Sequence, residues 1–360
     1  METVPATAGQ HPDRWSSSTL NGLTINYDYY ITMPPMTNKL PLSKPERISS
    51  IYALKAISSF FVVMMHSAFY QREWLLFIIG VGTPCFLAIT GYLLYSNSLE
   101  REQQKCRKWA YKSFKLGLIC ATLYLVFYLS IGKTFHWYDI LINFVTGDRI
   151  CLPLWYLTAL WEALLLFALV RTFIPRLIYW LPVLFLLSYA IRIHPDIMCP
   201  GLGLYGQNLM RSNAIVTSLP FLCTGYLVHK HKDWLLSHIN VNIWLPITII
   251  ALLGEYAFRV FQELPVGAFS LLTYPCVVML ILGCIKYPYF QIPVLNWIGE
   301  KHSANIYYFH IFVLDILCLL GVCIKSAEAL QCWLLCIPVS IIFNFTLAFF
   351  SNCFSKKTIA

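Results

Sequence analysis

The chain has 360 residues, 58% of them hydrophobic and only 12% charged, with a mean hydropathy of +0.63; soluble domains carry about 25% charged residues, so water is excluded as the solvent for most of this surface. Apolar runs long enough to cross a hydrocarbon core of about 30 Å recur and are continuous rather than alternating, which excludes a β-barrel and leaves α-helices as the spanning elements. A net charge of +9 would suit nucleic acid or anionic lipid, but the basic residues sit in short clusters between apolar runs, so they read as topology-setting charge and no nucleic acid is expected.

In chain order, residues 1–45 are polar and rich in Ser, Thr and Pro. They lack the apolar core of about 7–15 residues that marks a signal peptide, and read as a largely disordered cytoplasmic tail whose aromatic patch, Tyr27 to Tyr30, rests on the membrane surface. A single transmembrane domain is expected over 46–352, with spans near 51–69, 74–95, 114–132, 152–171, 176–193, 213–229, 242–259, 266–285, 303–322 and 330–350. A short cytoplasmic tail, 353–360, closes the chain. The expected fold is all-α, a polytopic integral membrane helix bundle of about ten transmembrane helices.

Orientation follows from Lys and Arg. With the N-terminus inside, 18 of the 26 basic residues fall in inner segments, 7 in outer ones, and Lys55 lies within a span. The positive-inside rule therefore puts both termini in the cytoplasm. The thirteen cysteines show neither CxxC nor Cys/His ligand spacing, so they read as small core fillers and no metal is expected. Cys151 and Cys199 fall in segments placed outside, which leaves a disulfide between them open.

The first span, SIYALKAISSFFVVMMHSAF, holds two residues that hydrocarbon penalises, Lys55 and His66. Eleven positions make three turns plus about 20° and a rise of roughly 16 Å, so the two share one helix face. Taken singly, Lys55 reads as a lysine snorkelling to the inner surface and His66 as a core histidine; together on one face they point to a watery cavity or bundle interior. There a neutral imidazole can accept the proton of an attacking hydroxyl. The segment after the second span, SNSLEREQQKCRKWAYKSFK, is the densest basic stretch. On a helix Lys108 and Lys112 are stacked neighbours beside Trp109, an arrangement suited to phosphates as well as to setting topology. Glu162, Glu255 and Asp315 are further polar groups within spans, of the kind that satisfies interhelical contacts; Glu162 and Glu255 are also candidates to orient an imidazole or bind an acceptor sugar, and Asp315 is a candidate partner for His310 or Lys55.

The order of these features resembles the acyltransferase type 3 family, multi-span bacterial membrane proteins that acylate sugars and related hydroxyl compounds. Its basic-x10-His pattern is similar to Lys55 and His66, with Arg47 upstream. Its small-residue stretch ending in a hydroxyl and Gly is similar to Phe86-Leu87-Ala88-Ile89-Thr90-Gly91, and its basic-x-x-x-basic element to Lys108 and Lys112. Leu-Trp-Tyr-Leu appears at 154–157, Phe-Leu-x-x-Gly at 221–225, and Ser-x-x-Ile-Tyr-x-x-His as Ser303, Ile306, Tyr307 and His310. The likeness covers roughly 47–350. Lys stands at 108 and 112 where the family usually has Arg, which leaves donor affinity and identity open, and Thr90 replaces a commoner Ser.

The resemblance implies an O-acyltransferase of the bacterial cytoplasmic (inner) membrane. The donor would be acetyl-CoA or another acyl-CoA and the acceptor a hydroxyl of a glycan or lipid-linked sugar. His66 would be the general base, with Lys55 lining the route. Arg107, Lys108, Trp109 and Lys112 would engage the donor, and Thr90, Trp155, Tyr156, Glu255, Ser303, Tyr307 and His310 would form the acceptor side. The other reading is a proton-coupled secondary transporter in which Lys55, His66 and an acidic residue form a relay, and a third is a non-catalytic membrane scaffold.

Overall fold

The computed structural model describes residues 48–67, 73–264, 270–321 and 328–355. The tail before residue 48, with Tyr27 to Tyr30 and Arg47, lies outside them, as do Arg72, Lys325, Lys356 and Lys357. Every regular element among the described residues is helical.

Helix α1 (Ser49–His66) stops where Ser67 turns extended and donates its hydroxyl to the Met64 carbonyl, 3.1 Å. A kink at Gly80 and Val81 divides the next apolar run into α2 (Glu73–Ile79) and α3 (Gly82–Leu94). Helix α4 (Leu99–Ser130) begins where the Ser98 side chain accepts from the Arg101 amide and carries Glu100 and Glu102 in its first turn, both favourable at a helix N-terminus. Its 32 residues measure about 48 Å, well beyond a hydrocarbon core of about 30 Å. The basic stretch is therefore the helical start of the third span, and not a loop before it. No Pro or Gly interrupts it before Gly117.

A short α5 (Trp137–Thr146) leads to α6 (Trp155–Phe173). Pro175 and Pro182 then each open a 3-10 turn, so α7 (Phe185–Ile193) is only nine residues long. After α8 (Pro195–Met198) and α9 (Leu204–Arg211), Asn213 caps one π turn before α10 (Leu219–Lys230). There follow α11 (Lys232–His238), α12 (Val241–Phe261) and α13 (Thr273–Lys286). The chain ends with α14 (Pro293–Lys301), α15 (Ser303–Leu319) and α16 (Glu328–Ser355).

The protein is an all-α, polytopic membrane helix bundle. Six described helical segments, one of them the kinked α2–α3 run over Leu75–Leu94, are long and apolar enough to cross a membrane, seven if α14 and α15, bent by 79° at His302, count as one span. The expected ten is not reached on this measure. Segment 176–193 is broken by its prolines, 213–229 by the π turn, and 266–285 yields a helix of 14 residues.

Helix α1 packs against α2, α3, α13, α14, α15 and α16, so both its polar residues sit within the bundle. Polar contacts pin it: Ser50 donates to the Cys284 carbonyl (2.8 Å), and Trp333 donates its indole N–H to Ser59 (3.1 Å). In lipid, where apolar faces gain little by leaving one another, such bonds and close backbone contact hold helices together. One close crossing joins α3 to α10 through two glycines, and another joins α14 to α1 at Gly299, where a Cβ would lie 1.7 Å from the Tyr52 carbonyl oxygen. A Cβ on Gly91 would lie 1.8 Å from the Leu222 carbonyl oxygen, and one on Gly225 would lie 1.7 Å from that of Ala88. Both glycines belong to Thr-Gly-Tyr triplets, Thr90 to Tyr92 and Thr224 to Tyr226.

Cys151 and Cys199 are both buried free thiols, so the disulfide left open does not form in this structure. Asp315 accepts from the Tyr128 hydroxyl at 2.9 Å. It does not pair with His310 or Lys55 as expected, because α15 turns this position toward α4.

Candidate active site

His66, half-buried in the last turn of α1, faces His310 of α15 with ring centroids 5.1 Å apart and planes inclined by 40°. His310 is fully buried. Its Nδ1 lies 2.7 Å from the Tyr307 carbonyl oxygen; a carbonyl only accepts, so Nδ1 carries the proton and the neutral ring keeps its lone pair on Nε2. That Nε2 is buried with no hydrogen-bond partner among the described residues, a costly arrangement that marks it as a candidate functional group.

From His310 a row of aromatic rings runs inward. Tyr307 lies 6.1 Å from His310, 4.5 Å from Tyr156 and 5.7 Å from Phe86, all between centroids. Its hydroxyl is 3.4 Å from Thr83 Oγ1. Tyr156 lies 6.4 Å from Trp155, with the Thr90 hydroxyl as its polar neighbour; Thr90 also donates to the Phe86 carbonyl, 2.8 Å. Of the residues expected from the sequence, His66, His310, Tyr307, Tyr156, Trp155 and Thr90 thus form one cluster at the meeting of α1, α3, α6 and α15.

Two others are taken up elsewhere. Ser303 donates to the Gly299 carbonyl, 2.7 Å, across the α14–α15 bend. The Glu255 carboxylate receives Arg259, the Ser270 hydroxyl and the Leu271 and Leu272 amides, which clamps the end of α12 onto the start of α13.

The second cluster is basic. Lys55 stands eleven positions before His66, about 16 Å of helix rise away, with Lys112 and Glu300 as electrostatic neighbours. Lys108 and Lys112 are exposed one turn apart on α4, Arg107 is exposed beside them, and Trp109 turns back to pack against the core. The shared face of α1 therefore links the basic end of the bundle to the histidine pair.

Two features were not legible in the sequence. Thr83, inside an apolar stretch, gave no spacing to single it out. Glu102, fully buried, accepts from Arg171 Nε (2.9 Å), the Tyr226 hydroxyl (3.0 Å) and the Ser96 amide (3.1 Å). The sequence offered Glu102 only as part of a charged segment, yet it is the buried knot of α4, α6 and α10. Among the described residues no group of three or more His, Cys, Asp or Glu is placed to hold a metal ion.

Comparison with curated proteins and with solved structures gave no match. A family model described as an acyltransferase domain matches residues 48–353, the whole helical region. That match carries acyl transfer, by an enzyme moving groups other than amino-acyl groups, and favours it over proton-coupled transport. The chain belongs to the acyltransferase type 3 family.

Proposed function

We propose that the protein transfers an acetyl or similar acyl group from cytoplasmic acyl-CoA to a hydroxyl of a glycan or lipid-linked sugar. It would do so in the inner membrane of a bacterium, with both termini in the cytoplasm. The observation that carries the proposal is the His66–His310 pair, with centroids 5.1 Å apart and the buried Nε2 of His310 unpartnered. His310 is a positioning residue in this scheme: in the reacting complex its Nε2 lone pair would accept an N–H from His66, a bond not made in this structure, which would leave the other His66 nitrogen as base. The acceptor oxygen loses its proton to that nitrogen and bonds to the acyl carbon. The C–S bond breaks, and the imidazolium returns the proton to the departing thiolate.

Lys108 and Lys112, with Arg107 and Trp109, hold the donor phosphates at the basic end, and Lys55 lines the way from there to His66. Trp155, Tyr156, Tyr307 and Thr90 wall the acceptor side, since sugars stack on aromatic rings and bond to hydroxyls. Ser303 and Glu255, whose polar atoms are satisfied within the chain, contribute by holding the bend and the α12–α13 junction.

The test is incubation of purified protein in nanodiscs with acyl-labelled acetyl-CoA and a panel of glycans and lipid-linked sugars. Label should appear in ester linkage on one of them. Label in no hydroxyl acceptor, alongside proton-coupled solute flux in proteoliposomes, would favour the transporter.

A further inference from the structure

We propose that the pocket between the ends of α6 and α10 binds a phosphate group, that of an anionic membrane lipid. About 460 Å³ of open space there is lined by Arg171, Arg176 and Lys230, by Tyr179 and Tyr226, and by an apolar wall that includes Ile178. No carboxylate lines it.

The charge there is not neutralised from within. Arg171 meets the buried Glu102 through its Nε, so one cation of the three is compensated. Among the described residues Lys230 donates only to the neutral Tyr179 hydroxyl, 2.7 Å. Arg176 has no hydrogen-bond or ion-pair partner among the described residues and is exposed. The Tyr226 hydroxyl is spent on Glu102 and Arg171, so the two uncompensated cations, Arg176 and Lys230, are what make the cradle for an oxyanion.

The surroundings select a lipid over a soluble phosphate. Phe173, Trp180 and Trp234, between 60% and 76% exposed, rim the same end of the bundle. Exposed aromatic residues of this kind mark the depth of lipid headgroups, and basic pockets between helices at that depth bind anionic ones. The pocket is also distinct from the proposed donor site. Lys108 stands six residues beyond Glu102 on α4, about 9 Å further along and roughly 120° around the helix, and so lies on a different face from the one that meets Arg171.

Full-length protein in detergent, titrated with phosphatidylglycerol and with phosphatidylcholine and read by native mass spectrometry, tests this directly. Wild-type protein should retain phosphatidylglycerol about thirtyfold more tightly than phosphatidylcholine, the preference expected from two surface cations. Arg176→Gln with Lys230→Gln should abolish the preference at an unchanged melting temperature, both side chains being exposed; Arg171 is left intact because it holds Glu102. Lys108→Gln with Lys112→Gln should leave it in place, whatever becomes of acyl transfer. Absence of a preference in wild-type protein, or its persistence in the Arg176/Lys230 variant, overturns the site. Displacement of phosphatidylglycerol by equimolar 3′-phosphoadenosine 5′-phosphate would assign the pocket to a soluble phosphate and overturn the lipid.

Discussion

Replacing His66 by glutamine separates proton transfer from architecture, because the structure sets a low ceiling on the damage to the fold. The His66 side chain makes no hydrogen bond among the described residues, and its ring contact is with His310. The change therefore strands no buried donor or acceptor and forfeits about 0.5–1.5 kcal/mol of ring packing, a fall of a few degrees in melting temperature at most. Loss of a general base lowers turnover by about 10²–10⁴, or roughly 2.7–5.5 kcal/mol in the barrier. The catalytic loss should thus exceed the structural one by more than 1 kcal/mol even at the unfavourable ends of both ranges. Glutamine keeps hydrogen-bonding capacity but takes up no proton at neutral pH, so His66→Gln and His66→Ala should both accumulate, keep the donor KM and lose kcat together. The assay is single-turnover transfer from labelled acyl-CoA in nanodiscs, with thermal unfolding of the same samples. Near-normal turnover in well-folded His66→Gln would refute the reasoning, and the base would then be sought at His310, whose Nε2 is buried and unpartnered.

Lys108→Ala with Lys112→Ala should raise the apparent Kd for acyl-CoA and flatten its salt dependence without lowering protein yield, since both residues are exposed; titration at two ionic strengths checks this. Gly225→Ala would drive a Cβ against the Ala88 carbonyl and the Tyr92 amide, backbone that has no rotamer to yield, and should destabilise the protein by about 1–3 kcal/mol or more. Gly254→Ala, where a Cβ meets nothing within 4 Å, is its control in detergent melts, and equal melting temperatures would discount the crossing. Reporter fusions after Lys115 and after Lys356 should both report cytoplasm and one near Gly147 the opposite side; unlike signals from the first two would mean an odd number of spans.

The legible part of the site was the part carried by unusual residues within one helix. Lys55 and His66 stand out because charge and imidazole are costly in hydrocarbon, and their helical period alone puts them on one face. Lys108 and Lys112 were equally plain, though the helix they ride on starts earlier than the hydropathy showed. Ser98, Glu100 and Glu102 start it with ordinary capping chemistry, which an apolar-run reading passes over. His310 and Tyr307 were reached by resemblance, and nothing in their spacing revealed that a carbonyl three residues back fixes the tautomer of His310.

Composition and hydropathy by themselves determined that this is a helical membrane protein, and period determined which residues share a face within α1. Which faces meet was decided only by the tertiary structure. Asp315 turned to Tyr128 and not to His310, Glu255 was drawn into the α12–α13 clamp, and Cys151 stayed apart from Cys199. The physical reason is the solvent. In water the apolar stripe of a helix marks its buried side, but lipid and core are both apolar, so a spanning helix carries little record of which way it turns. That rotation is set by backbone approach at positions such as Gly91 and Gly225 and by scattered polar bonds, all of which exist only once the helices are packed.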